Sequence, residues 1–91
     1  MSVVIIGGNE CMERDYRNVC RENGFRAKVF CKYQADMAGR IGCPDLMILF
    51  THTVSHKMVR TALDSAGKNT RIVRTHTSSK AALKKILSEY S

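Results

Sequence analysis

The chain has 91 residues, of which 44% are hydrophobic and 25% charged, and its formal net charge is +7. This composition excludes a disordered or fibrous protein, and the length allows one modest hydrophobic core, so we predict a single domain over residues 1–91. The N-terminal residues lack the basic start and long apolar run of a signal peptide or membrane span, which predicts a cytoplasmic protein with no membrane partner. The four cysteines match no zinc spacing, and reduced thiols are expected.

Strand and helix patterns alternate four times along the chain. Short apolar runs that end at glycine or polar residues predict strands, and apolar residues spaced three and four apart predict helices. In chain order the predicted elements are strand Ser2–Ile6, helix Asn9–Asn23, strand Phe25–Phe30, helix Ala35–Ile41, strand Asp45–Phe50, helix Ser55–Gly67, strand Arg71–Arg74, and a helix that begins at Ser78 or Ser79 and includes Tyr90.

The composition of the strands indicates how they are arranged. Leu46–Phe50 is apolar throughout, as expected for a central parallel strand covered on both faces. Phe25–Phe30 alternates apolar residues with Arg26 and Lys28, which predicts an edge strand with one wetter face. Strands that alternate with helices over short connections form parallel sheets with right-handed crossovers. We therefore predict an α/β fold, a small parallel four-stranded sheet in the order 2-1-3-4 with helices on both faces, which is a truncated Rossmann or flavodoxin-like domain.

Ligands of such sheets bind beyond the carboxyl ends of the strands, where the winding reverses. In this chain that crevice lies between strands one and three, and its walls are Gly7–Asn9 and Thr51–His56. Residues 75–78, which follow strand four, are its neighbours. All three histidines are therefore predicted to lie at one end of the molecule.

The histidines are the candidate ligands at that end. His56 is in the first turn of its helix on the side of Val59 and Leu63, so we expect it to lean toward the top of the sheet. His76 follows strand four and can flank the same pocket, whereas His52 lies in a loop and is expected to be solvated. Two imidazoles without an acidic neighbour suit haem iron better than Mg²⁺ or a catalytic zinc ion. The alternative is that His56 is a half-buried polar residue bonded to a loop carbonyl.

Other patterns at the strand ends are less specific. Gly7 and Gly8 permit positive φ and close approach of a ligand, but the segment is not GxGxxG, and a tight turn alone explains the pair. There is no Ser-His-Asp order, nucleophile elbow or acid/base pair, and Asp15 and Asp36 do not follow strands as a phospho-acceptor aspartate would. The sequence therefore assigns no catalytic residue and leaves open whether the protein is an enzyme.

Positive charge is concentrated in the C-terminal part of the chain. Through His56 there are seven basic and six acidic residues, and from Lys57 onward there are eight basic and two acidic ones. This asymmetry fits an anionic ligand, and a basic soluble surface explains it equally well. Basic residues are not interleaved with aromatic ones as on an RNA-binding sheet, so nucleic acid is not the favoured partner. Four strands leave two exposed edges and a small core, which favours a homodimer or higher homo-oligomer.

The segments VVIIGG, PDLMILFTHTVSHKMV and RTHTSSKAALKKIL resemble a bacterial family of stand-alone domains, domain of unknown function 2325, and the resemblance covers essentially the whole chain. It implies a Rossmann-type domain that binds haem b and has a role connected with oxygen. Carried over by position, His56 is the preferred axial ligand and His76 a second or alternative ligand. Lys57 or Arg74 would pair with the propionates. The full set of implied cofactor-binding residues is Gly7, Gly8, Asn9, Thr53, Ser55, Lys57 and Arg74.

Two other interpretations stay open. In the first, the glycine pair, the helix N-termini and the basic C-terminal half bind a nucleotide, a nucleic acid or a phosphorylated metabolite. In the second, the chain is a structural or regulatory dimer without a small ligand, and its histidines are incidental.

Overall fold

A computed structural model of the chain describes residues 1–90 and contains the predicted alternation of strands and helices. Each predicted element is present, with shifts only at its ends. The elements are β1 (Ser2–Ile6), α1 (Glu13–Glu22), β2 (Arg26–Phe30), α2 (Met37–Ile41), β3 (Leu46–Phe50), α3 (His56–Ser65), β4 (Arg71–Thr75) and α4 (Lys80–Tyr90).

The largest shift is at the start of the first helix, which we predicted to be capped by Asn9. Asn9 Oδ1 instead accepts a hydrogen bond of 2.9 Å from Cys11 N and caps a 3-10 turn, Glu10–Met12, that precedes α1. Such turns are frequent at helix termini, where the first amides have no partner within the helix. The prediction for Asn9 was therefore correct in the type of cap and wrong in the element that it caps.

Serine caps begin the two C-terminal helices, as the sequence predicts. Ser55 Oγ accepts a hydrogen bond from Met58 N, and Ser79 Oγ accepts one from Ala82 N, each at 3.2 Å. A side-chain oxygen at this position satisfies one of the free amides of the first turn. The helices are short, and none within residues 1–90 is long and apolar enough to cross a membrane.

All four strands are parallel, and their order is β2-β1-β3-β4, which confirms the predicted topology. β1 and β3 lie in the centre. β3 and β4 are aligned with Leu46 opposite Arg71 and Phe50 opposite Thr75. Because the strands run in the same direction, the segments that follow them meet at one end of the sheet.

The sheet separates two layers of core. α1 and α4 cover one face, where the buried residues include Tyr16, Cys20, Ile48, Phe50, Leu83 and Leu87. α2 and α3 cover the other face, where they include Met37, Ile41, Met47, Leu49, Met58 and Ala62. Every residue of β3 is buried, as predicted for a central strand, whereas none in β4 is fully buried. The helices therefore cover the middle of the sheet and leave β4 partly uncovered.

The four cysteines are free thiols in three different environments. Cys20 lies in the core, which confirms its predicted role as a small buried apolar residue, and burial raises the pKa of its thiol from the ordinary value of 9.0 to about 12. Cys31 is half-buried, and burial raises the pKa of its thiol as well. Cys11 and Cys43 are exposed.

We predict that an alkylating reagent modifies Cys11 and Cys43 first and Cys20 only after the protein is unfolded. The thiolate is the reactive form, and the buried Cys20 stays protonated at about pH 8. Brief treatment with iodoacetamide, with and without urea, followed by peptide mass mapping measures the order. Alkylation of Cys20 at the rate of Cys11 in the folded protein would contradict its burial.

Candidate functional site

The carboxyl ends of the strands form one polar face, which we call the strand-end face; it comprises the segments that follow β1, β3 and β4. His52, His56 and His76 are exposed there, and solvation of His52 is as predicted. The expectation that His56 leans toward the sheet was wrong. His56 is two residues before Met58, the first buried residue of α3, and two residues of an α-helix correspond to about 200° of rotation. His56 is exposed to solvent and does not lie on the Met58 side of the helix.

The glycine pair at the end of β1 is a tight turn packed by the chain itself. Gly7 and Gly8 have φ of +94° and +92°, values that favour glycine. A Cβ on Gly7 would collide with Val54, and one on Gly8 would lie 2.7 Å from Tyr16 Cε2 and 3.0 Å from Phe50 Cδ2. The space that a ligand would use in a larger sheet of this type is filled by these side chains.

Backbone amides beside the glycine pair already have partners. Gly8 N donates a hydrogen bond of 2.7 Å to Thr53 Oγ1, and Asn9 N donates one of 3.2 Å to the Tyr16 hydroxyl. That hydroxyl in turn donates to the Ser78 carbonyl at 2.6 Å, so it joins the segments after β1 and β4. Three of the implied cofactor-binding residues, namely Gly8, Asn9 and Thr53, thus have structural roles at the crevice.

His76 is held at the same face by contacts between the segments after β3 and β4. Thr51 N donates to the Thr75 carbonyl at 2.9 Å, and Thr51 Oγ1 lies 3.4 Å from His76 Nδ1. The other ring nitrogen, Nε2, belongs to an exposed side chain. His76 and His56 therefore share a face, as the topology predicts, and both imidazoles are accessible.

The two sides of α3 face different parts of the sheet. Lys57 Nζ lies 4.3 Å from the centre of the Tyr33 ring, so the Lys57 side of the helix faces the segment after β2. Val59 lies about 200° further around the helix and is on the side opposite Lys57. Lys57 and Arg74, the two implied propionate partners, are thus on different sides of α3.

Apolar residues of α3 and β4 are partly exposed on the same face of the sheet. On β4, Ile72 is 41% exposed and Arg74 is also exposed. On α3, Val59 and Leu63 are half-buried and pack against the core cluster of this face. His56 is three and seven residues before them and lies on the same side of the helix. We call these five residues the α3 shelf.

The sequence predicts that His56, Val59 and Leu63 lie on one side of their helix, but the α3 shelf is not evident from it. Ile72 is predicted only as part of the strand Arg71–Arg74, and an apolar pair within a short strand does not indicate which face is covered. The available signal was the arginine on each side of the pair, Arg71 and Arg74, since a strand buried on both faces rarely carries two cations.

Open clefts also lie away from the histidines. One, of about 440 Å³, is beside Asp45, Arg71 and Tyr90. A second, of about 390 Å³, is lined by residues of β2 with Arg17 and Arg40, and a third, of about 330 Å³, lies at the amino end of the sheet beside Cys43 and Pro44. Across the whole described part of the chain, residues 1–90, no group of three or more His, Cys, Asp or Glu side chains could hold a metal ion. The α3 shelf is therefore the candidate site with the most specific chemistry.

Together, the fold and the shelf define a small Rossmann-like α/β domain with an accessible histidine beside an exposed apolar surface. The model of a bacterial family, described as uncharacterized protein conserved in bacteria (DUF2325), matches residues 2–90. The chain belongs to this family, which confirms the resemblance. Neither the curated proteins nor the solved structures gave a match.

We predict that Gly8→Ala lowers the free energy of unfolding by about 2–4 kcal/mol, because a positive φ and a crowded Cβ both oppose the substitution. Gly39→Ala is the matched control. Gly39 lies in α2 with no atom within 4 Å of an added Cβ, so this change is neutral or stabilises by up to about 1 kcal/mol. Urea denaturation measures both values. Equal stabilities of the two variants would show that the turn at Gly8 is not packed as described.

Proposed function

We propose that this protein binds haem b on the α3 shelf, with His56 as an axial ligand of the iron, and that it senses or carries a gas such as oxygen. One observation carries the proposal: the exposed His56 shares a side of α3 with the half-buried Val59 and Leu63, and Ile72 and Arg74 are exposed on β4. Haem requires a nitrogen ligand for iron, apolar surface for the ring and cations for the propionates.

The donor set suits haem iron better than a bare metal ion. A porphyrin itself supplies the equatorial nitrogen ligands, so the protein contributes only one or two axial ones. This requirement is met by His56, with His76 as the alternative ligand on the same face. When bound, haem would supply an iron that coordinates a diatomic gas.

Of the residues that the family resemblance implies, only some belong to the α3 shelf. His56 and Arg74 are on the shelf. Gly7 and Gly8 form the packed turn, Ser55 caps α3, and the remaining implied residues lie in the crevice or on the other side of the helix. We therefore assign the propionates to Arg74.

A nucleotide or a phosphorylated metabolite is the second candidate ligand. α3 and α4 both begin at the strand-end face next to Lys57 and Lys80, and helix N-termini favour anions. However, the Gly8 amide already donates a hydrogen bond within the chain. Ser55 and Ser79 likewise accept hydrogen bonds from amides in the first turns of α3 and α4. These contacts make a phosphate the weaker candidate.

We also propose that the protein is cytoplasmic. Support comes from the four free thiols, two of them exposed, because exposed thiols persist in a reducing compartment.

We predict that hemin added to the purified protein produces a shifted Soret band, and that His56→Ala weakens hemin binding at least tenfold, which corresponds to about 1.4 kcal/mol. The loss follows from removal of the axial nitrogen. His76→Ala is expected to have a smaller effect. His52→Ala is the matched control, since His52 is exposed on the same face but is not on the shelf, and its titration should match that of the parent protein.

An absent Soret shift, or identical titrations for the parent and all three histidine variants, would refute the ligand assignment. Thermal unfolding with hemin, ATP or inorganic phosphate distinguishes the two candidates. Stabilisation by ATP that weakens with salt, without stabilisation by hemin, would favour the phosphate ligand instead.

We predict that Arg74→Glu weakens hemin binding several-fold, and that this difference decreases at high salt because the propionate contact is screened. Arg26→Glu makes the same change of charge on β2, at the opposite edge of the sheet, and is expected to leave hemin affinity unchanged. Spectrophotometric titrations at low and high salt measure both variants. Equal effects of the two substitutions would assign the change to net charge and not to a contact at the shelf.

A further inference from the structure

β4 has free backbone groups along its outer side. Arg71 N and the Thr75 carbonyl form hydrogen bonds of 3.0 and 2.9 Å with the backbone at the two ends of β3, so Arg71, Val73 and Thr75 face β3. Alternate residues of a strand bond to opposite sides, and the N–H and C=O of Ile72 and Arg74 therefore point away from the sheet. An edge of this kind is a template for an additional strand.

Apolar surface flanks this edge on both faces of the sheet. The face covered by α2 and α3 carries the exposed Ile72, and Val59 and Leu63 of α3 are half-buried on this face. The face covered by α4 carries the half-buried side chains of Val73, Ile86 and Tyr90, which pack against the core cluster but stay partly accessible. An added strand would thus cover apolar side chains as well as backbone groups.

The opposite edge of the sheet, β2, is protected. Arg26 and Lys28 are exposed on one face of this strand, and Lys28 Nζ donates a hydrogen bond of 2.8 Å to the Arg40 carbonyl. The Arg40 guanidinium lies 5.6 Å from the centre of the Phe30 ring, so it also covers this edge. Cations on an edge strand oppose strand addition, and β4 also carries two, so the feature that distinguishes β2 is its cover by the Lys28 and Arg40 contacts. The two edges differ, and β4 is the one open to a partner.

The charges of β4 fit a second copy of the chain. Arg71 and Arg74 lie on opposite faces of the strand because they are three residues apart. In antiparallel pairing about Val73, Ile72 is opposite Arg74 of the second copy and Arg71 is opposite Thr75, so no arginine faces another. This register also joins the outward N–H and C=O of Ile72 to those of Arg74 in the second copy, which uses every free group of the edge.

We propose that two copies of this chain associate through antiparallel pairing of their β4 strands, centred on Val73, to form one continuous sheet of both subunits. The inference rests on the β4 edge and its flanking side chains and does not depend on haem binding. A homodimer is expected from the two open edges of a four-stranded sheet, and this proposal specifies its surface and its strand register.

Sedimentation velocity tests the interface. The parent protein should sediment as a dimer of about 20 kDa, twice the chain mass of 10.2 kDa. Ile72→Lys places a cation opposite Arg74 of the second copy and should weaken the dimer at least tenfold. Ile72→Glu removes the same apolar side chain but places a carboxylate there, and should retain a dimer close to that of the parent. Circular dichroism verifies that both variants are folded.

Arg26→Glu on β2 is the control for the other edge and should leave the dimer unchanged. A monomeric parent protein at the highest concentration tested would refute the proposal, as would equal dissociation constants for Ile72→Lys and Ile72→Glu. Loss of the dimer in Arg26→Glu, with the dimer of Ile72→Lys unaffected, would locate the interface at β2 and would also refute the proposal.

A disulfide test fixes the register. Val73 is opposite itself across the two-fold axis at about 4.5 Å between Cα atoms, within the range of a disulfide. In a background with Cys11→Ser and Cys43→Ser, Val73→Cys should form a covalent dimer on oxidation, whereas Arg71→Cys should not. Cross-linking of Arg71→Cys alone would show that the strands pair in another register.

Discussion

Burial of the two central strands on both faces is the constraint on which the rest of the structure depends. A parallel sheet exposes no face to water, so each face needs helices. With one helix after each strand, α1 and α4 cover one face and α2 and α3 the other. This cover is complete over β3, where every residue is buried, and incomplete over β4, where none is fully buried. The open surface of the protein is therefore at β4.

The same packing closes the crevice where ligands of larger sheets bind. Gly8 has no Cβ, and this allows the Tyr16 ring to approach the backbone after β1. The Tyr16 hydroxyl then accepts a hydrogen bond from Asn9 N and donates one to the Ser78 carbonyl, and Thr53 Oγ1 accepts a hydrogen bond from Gly8 N. Each of these polar groups has a partner within the chain, so displacing them would leave unpaired groups at a cost of about 1–3 kcal/mol each. The chain's accessible histidines lie outside this closed region.

The two proposals meet at β4 and are separable by experiment. Ile72 belongs both to the α3 shelf and to the strand edge. His56 lies on α3, outside the edge, so His56→Ala tests the haem ligand without changing β4. Ile72→Glu keeps the strand pairing while it changes the apolar surface of the shelf. Loss of haem binding in Ile72→Glu with a retained dimer agrees with both proposals. Unchanged haem binding in His56→Ala would contradict only the haem ligand, and equal dimer stabilities of Ile72→Lys and Ile72→Glu would contradict only the interface.

The sequence by itself determined the fold. The apolar run Leu46–Phe50, the helical spacing around Tyr16 and the glycine pair specify local structure, and short βα connections leave few topologies. It also determined which residues gather at the strand ends, because parallel strands end on the same side. Only the tertiary structure decided that His56 faces outward, that Gly7 and Gly8 are filled by neighbouring side chains, and that Ile72 is exposed. These properties depend on how α1, α3 and the loop before α3 pack on the sheet, and no local pattern in the sequence encodes that packing.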